Sequence, residues 1–164
     1  MKPKEITTVA ILSASLTAGK LALSAVPNIE IVSFLFIVFT VVFGVKRTLL
    51  TAVIFTTTEM LIYGFGIWIL GYYLIWPTLI LLTALLKPHL KSEYGYSIFS
   101  GLFGLFFGLY FAVFESFFYG IGYGITYWIQ GIPFDLLHGG SNFIVMLVLF
   151  KPITRSVLKM KEKT

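Results

Sequence analysis

Pro133-Phe134-Asp135-Leu136-Leu137-His138-Gly139-Gly140-Ser141-Asn142-Phe143-Ile144-Val145-Met146-Leu147-Val148-Leu149-Phe150-Lys151 opens on a proline, carries an acid, an imidazole and an amide, then runs apolar to a lysine. Proline suits the first position of a helix, so the stretch predicts a helix over 134–151. Residues three and seven apart share a helix face. Asp135, His138 and Asn142 therefore line one edge of a segment otherwise suited to lipid. Ionisable groups inside a membrane are costly and mark function by default.

The rest of the chain fits a membrane setting. Of 164 residues, 58% are hydrophobic and only 12% are charged, about half the usual quarter. Apolar runs recur almost without pause, which predicts an all-α integral membrane protein. The whole chain, 1–164, reads as one membrane domain, since no stretch outside the apolar runs is long enough for a second. The net charge of +5 does not point to nucleic acid, because the basic residues cluster at the ends of apolar runs. There is no cysteine, hence no disulfide or thiolate metal site. The first apolar run has full spanning length and no clear small-residue cleavage site, so no cleavable signal peptide is expected.

A span needs about 20 apolar residues, fewer when buried among other helices. Six spans are predicted, at 6–26, 31–45, 48–64, 73–86, 96–119 and 134–151. A mobile loop or broken helix is expected at Gly120-Ile121-Gly122-Tyr123-Gly124. The basic tail, 152–164, reads as lying along the membrane surface. Six spans put both termini on one side, and every Lys and Arg except Lys20 then falls on that side. By the positive-inside rule that side is cytoplasmic. Lys20, Glu59, Glu115 and Asp135 all lie toward the opposite ends of their spans. At about 1.5 Å per residue, His138 and Asn142 lie roughly 5 and 10 Å deeper than Asp135. Polar groups of several helices thus share one depth, the outer third.

Three surfaces add detail. Ala10, Ala14, Ala18 and Ala22 form a smooth ridge on the first helix, roughly opposite Ser13, Thr17, Lys20 and Ser24. Such ridges let helices approach closely, either within the bundle or against another subunit. Gly101, Gly104 and Gly108 share a face with Glu115, suiting tight packing or space beneath a ligand. Ala52, Thr56, Glu59 and Tyr63 form one stripe, with Glu59 open to pairing with Lys20 or to binding a ligand. Trp68, Tyr72, Tyr73, Trp76, Tyr123, Tyr127 and Trp128 crowd the outer connections. Some belong to an interfacial belt, and the excess on one side suggests an aromatic-lined mouth for an organic molecule. Enzyme motifs are weak: Gly139-Gly140-Ser141-Asn142 lacks the glycine that follows a nucleophile elbow. One histidine with scattered carboxylates makes a poor metal signature. No catalytic residue, resident cofactor or metal is expected.

The chain resembles an S component, the substrate-binding membrane subunit of energy-coupling factor (ECF) vitamin transporters. The resemblance rests on 13–22, Val26-Pro27-Asn28-Ile29-Glu30, Gly101-Leu102-Phe103-Gly104-Leu105-Phe106-Phe107-Gly108, and Phe134-Asp135-Leu136-Leu137-His138 through Lys151-Pro152. It implies a six-helix bundle in the cell membrane with an outward pocket covered by loops. It also implies docking through Ala14 and Ala18, extended by Ala10 and Ala22, on a transmembrane coupling subunit driven by two cytoplasmic ATPases, so the chain itself hydrolyses nothing. Candidate substrate-binding residues are Lys20, Asn28, Glu59, Tyr63, Trp68, Glu115, Tyr127, Asp135, His138 and Asn142. The nearest pattern is that of S components associated with cobalamin; thiamin, pyridoxine-like vitamins, riboflavin and pantothenate are the alternatives. A stand-alone proton-coupled transporter, using Glu59, Asp135 and His138 as a relay, is the competing class.

Overall fold

The computed structural model describes residues 2–27 and 29–162, and these are all helix and connection, with no strand among them. Seven helices follow one another: α1 (Pro3–Leu23), α2 (Val32–Phe43), α3 (Val45–Tyr63), α4 (Ile67–Leu86), α5 (Glu93–Leu105), α6 (Phe107–Tyr119) and α7 (Ile121–Glu162). Among the described residues, four stretches are long and apolar enough to cross a membrane: Pro3–Leu23, Ile67–Leu86, Glu93–Tyr119 and Ile121–Lys159.

Helix α2 is the hub. Its 12 residues extend only about 18 Å, short of a hydrocarbon core of about 30 Å. It is apolar on every side, the pattern of a buried helix, and nine of its residues are buried. Phe36 stacks on Trp76 of α4 at 5.1 Å and meets Phe55 of α3 edge-on at 5.8 Å. The largest fully buried side chains, among them Phe34, Phe36, Ile37, Phe55, Leu79 and Met146, gather around it.

One end of the bundle collects the basic side chains. Lys87, just past α4, donates to the Val41 carbonyl at 3.0 Å, and Lys161 of α7 to the Val42 carbonyl at 2.7 Å. Both satisfy the orphan carbonyls at the C-terminus of α2, where the helix dipole also favours a cation. Arg47 of α3 pairs with Glu5 of α1 at 3.4 Å, and Lys151 of α7 with Glu93 of α5 at 2.5 Å.

The start of the last helix needs correction. No loop or break separates the glycine-rich segment from the final helix: α7 runs unbroken for 42 residues. It absorbs Gly122, Gly124, Pro133 and the basic tail to Glu162. The left-handed backbone falls on Gly120 alone (φ 89°), which closes α6 by donating to the Ser116 carbonyl. Gly124 is helical because it packs against Ser116 of α6, where a Cβ has no room. Pro133 lies inside the helix instead of starting it, and costs one hydrogen bond in a largely exposed stretch of α7 just before the part packed on α5. The expected span at 96–119 is matched by the apolar stretch Glu93–Tyr119, in which Phe106 alone (φ −97°, ψ 4°) leaves helical geometry and divides α5 from α6. Elsewhere the boundaries move by a few residues; the largest shift is α4, which begins at Ile67 instead of 73.

The alanine ridge of α1 faces away from the other helices. Val9, Leu12, Ser13 and Leu16 make the buried stripe against α2 and α3, while Ala10, Ala14, Ala18 and Ala22 are all exposed. The ridge is therefore not an internal packing surface. The glycine face of α5 and α6 is one. A Cβ on Gly101 would lie 3.2 Å from the Gly139 carbonyl, and one on Gly104 2.9 Å from both the Asn142 amide and the His138 ring.

Candidate ligand-binding site

The end of the bundle opposite the lysine-capped end of α2 holds a cavity of about 510 Å³, lined by residues from six helices and one connection. Its polar wall comes from Lys20 (α1), Glu30 (between α1 and α2), and Gln130, Asp135 and His138 (α7). Its apolar wall comes from Val32, Phe55, Tyr72, Trp76, Phe107, Tyr127 and Phe134. The volume lies within the range of small-molecule sites, and the mix of many apolar with a few convergent polar groups is their usual lining.

Each polar group is positioned by local structure. Asp135 sits opposite the hinge at Phe106. Because α5 ends there, the first N–H groups of α6 have no intrahelical partner. Asp135 Oδ1 accepts from the Gly108 N–H at 3.0 Å, so a carboxylate from α7 caps α6 and meets the positive end of its dipole. Glycine at 108 leaves room for this contact, since a Cβ there would come within 2.4–2.7 Å of the carboxylate atoms and displace them. Asp135 Oδ2 is buried without a partner.

His138, one turn further along α7, stacks on Phe107 with ring centroids 5.0 Å apart. Its Nε2 lies 3.4 Å from Glu30 Oε1, an ion-pair distance without hydrogen-bond alignment, and both atoms lack a hydrogen-bond partner. The other Glu30 oxygen accepts from the Ser33 N–H at 2.9 Å, in the first turn of α2. Burial works against ionisation of Glu30, but the neighbouring His138 and the Ser33 N–H outweigh it and hold the carboxyl below the usual glutamate range.

Lys20 pairs with Glu59 Oε2. Three rings surround its ammonium, with centroids at 4.9 Å (Tyr63), 5.3 Å (Tyr72) and 6.0 Å (Trp68), each favourable to a cation. Glu59 is fully buried and its Oε1 has no partner.

The structure thus brings Lys20, Tyr127, Asp135 and His138 into the cavity wall. Glu59, Tyr63 and Trp68 stand behind Lys20. Asn142 lies deeper on α7, 1% exposed, with neither amide atom hydrogen-bonded. Glu115 is half-buried on α6 near Tyr123 and Tyr127, outside the wall. Asn28 lies outside the described residues. No family model, curated protein or solved structure matches this chain. The site therefore has to be read from its own chemistry. Glu30, Gln130, Phe107 and Gly108 were missed as site residues. Glu30 had a readable signal, a carboxylate in the outer connection at the depth of the others. Gly108 belonged to the glycine face read as space beneath a ligand, but it meets Asp135 instead of Glu115, and Phe107 had no signal.

The orphan atoms tell what the site can do. Buried polar groups are normally paired, and an unpaired one costs about 1–3 kcal/mol. Here Glu30, Asp135, His138 and the Trp76 indole N–H all border one cavity with unpaired atoms. A molecule seated in the cavity would sit against the residues that carry these atoms. Among the described residues no three His, Asp or Glu side chains group closely enough to hold a metal ion.

Proposed function

We propose that this chain is the substrate-capture subunit of an ECF-type ABC importer in the cell membrane, binding a vitamin or related micronutrient from outside and delivering it inward. In this reading six helices span or enter the bilayer with both termini cytoplasmic. A transmembrane coupling subunit and two cytoplasmic ATPases supply the energy, and this chain is not an enzyme. The observation that carries the proposal is the cavity of about 510 Å³, bordered by unpaired buried polar atoms, at the end of the bundle away from the basic side chains. The positive-inside rule makes that end the outer one. The exposed small-residue ridge Ala10, Ala14, Ala18 and Ala22 supports docking on a partner helix, since it is free of the chain's own packing.

The cavity size bears on the substrate. Pockets enclosing drug-sized ligands run to about 300–1,000 Å³. A whole cobalamin would need more room than this cavity encloses, so a compact one- or two-ring vitamin fits better than the corrinoid suggested by sequence pattern. A corrinoid would have to leave much of its ring outside.

The test is transport by cells carrying this chain with and without an ATPase module. Ala14→Phe or Ala18→Phe is expected to abolish uptake and association with the module while leaving binding to the purified subunit intact. Uptake unchanged in both variants, or persisting without the module and collapsing with the proton gradient, would favour the proton-coupled transporter instead.

A further inference from the structure

We infer that the cavity selects a ligand carrying a positive charge, seated by Glu30 and Asp135 against the faces of Trp76 and Phe107. The inference rests on the cavity being the ligand site proposed above, and it specifies the chemistry of that ligand.

The charges on the wall do not cancel. Lys20 is committed to Glu59 and to its three surrounding rings, so it offers little to an anion. Glu30 and Asp135 remain, with His138 as the one other basic group on the wall. With both carboxylates ionised, the single imidazole cannot balance the two, so at least one lacks a counter-charge. The unpaired atoms agree. Glu30 Oε1 and Asp135 Oδ2 are acceptors without donors, and Asp135 is 8% exposed, so its free oxygen has no access to bulk water to offset its burial. Asp135 Oδ1 accepts from the Gly108 N–H at the start of α6, where the positive end of the helix dipole favours a carboxylate.

The aromatic wall fits the same ligand. Trp76 is 3% exposed, and Phe107 stands 5.8 Å from it, tilted by 42°. Aromatic faces attract cations, more strongly when desolvated. An ammonium or a charged ring nitrogen would meet donor-hungry carboxylates on one side and ring faces on the other. A carboxylate or phosphate would meet like charge. The site is thereby biased against anions as well as toward cations.

Three probes that share one ring isolate the effect: pyridoxamine (ammonium), pyridoxine (hydroxyl) and 4-pyridoxate (carboxylate). Each is titrated into the purified full-length protein in detergent at pH 7, followed by tryptophan fluorescence. The expected order is ammonium over hydroxyl over carboxylate, with ammonium and carboxylate separated by at least about tenfold. Glu30→Gln and Asp135→Asn, which keep shape and acceptor, should each collapse that separation to within about threefold. An order led by the carboxylate, equal binding of all three, no binding of any at millimolar concentration, or an order untouched by both substitutions would overturn the inference. The transporter reading fails on a different result, uptake that ignores the ATPase module, so the two failures are distinguishable.

Discussion

Asp135 does two jobs that substitution can separate. Its Oδ1 caps α6 through the Gly108 N–H at 3.0 Å, while the residue lines the cavity with its Oδ2 buried and unpaired. Removing the side chain with Asp135→Ala leaves that N–H buried and unpaired. A hydrogen bond to a charged group contributes about 1.5–3 kcal/mol, and a carboxylate at a partly buried helix N-terminus up to about 2. These overlap, so a loss of about 2–3 kcal/mol is expected. At about 2–4 °C per kcal/mol for a chain of this size, thermal unfolding in detergent should move down by roughly 4–12 °C. Asp135→Asn keeps an acceptor for the cap and should stay within about 1 kcal/mol of the native chain. Gly108→Ala would push the carboxylate off its site, because the new Cβ meets three carboxylate atoms closer than 3 Å. Its loss should match that of Asp135→Ala, and the double variant should be little worse than either, as expected for one shared interaction. Circular dichroism melts of all four variants in one detergent decide it. Native-like melting of Asp135→Ala, or full additivity in the double variant, would refute the capping role.

Three further outcomes are expected. Lys20→Met or Glu59→Leu alone should cost about 3 kcal/mol by stranding a charge, whereas the double replacement should recover much of the loss; a thermal-unfolding double-mutant cycle with no coupling would count against the pair. Glu30, whose carboxyl is held below the usual range, contributes stability that is full above about pH 4.3 and is lost as pH falls through its lower folded value; Glu30→Gln should flatten that acid-side slope, and an unchanged slope would contradict it. A Cβ on Gly139 would meet the Gly101 carbonyl at 2.9 Å and the Leu105 N–H nitrogen at 3.1 Å, while Gly140 has open space; Gly139→Ala should therefore lose about 1–3 kcal/mol and Gly140→Ala should lose nothing, with equal melting points ruling out the tight α5–α7 contact.

Much of the site was readable because a few polar residues stand out in an apolar chain. The spacing of Asp135, His138 and Asn142 put them on one edge, and depth alone brought Lys20 and Glu59 to the same end. What depth could not give was partnership. Lys20 and Glu59 neutralise each other, and His138 turns to Glu30, a residue whose place depends on how the α1–α2 connection folds back. The fold was misread where local propensity and tertiary packing disagree. Gly122, Gly124 and Pro133 are helix breakers in isolation, yet the chain stays helical there, with Gly124 packed on α6. The stretch 96–119 reads as one span and is one apart from Phe106, but the bond from the Gly108 N–H to Asp135, distant in sequence, had no local signal.

The most direct measurement is mass spectrometry of small molecules released from purified native chain and from the Glu30→Gln and Asp135→Asn variants. A compact organic cation, present near one per native chain and depleted in both variants, is the predicted result. No bound molecule in the native chain, or the same molecule retained undiminished by both variants, would contradict a ligand site in this cavity.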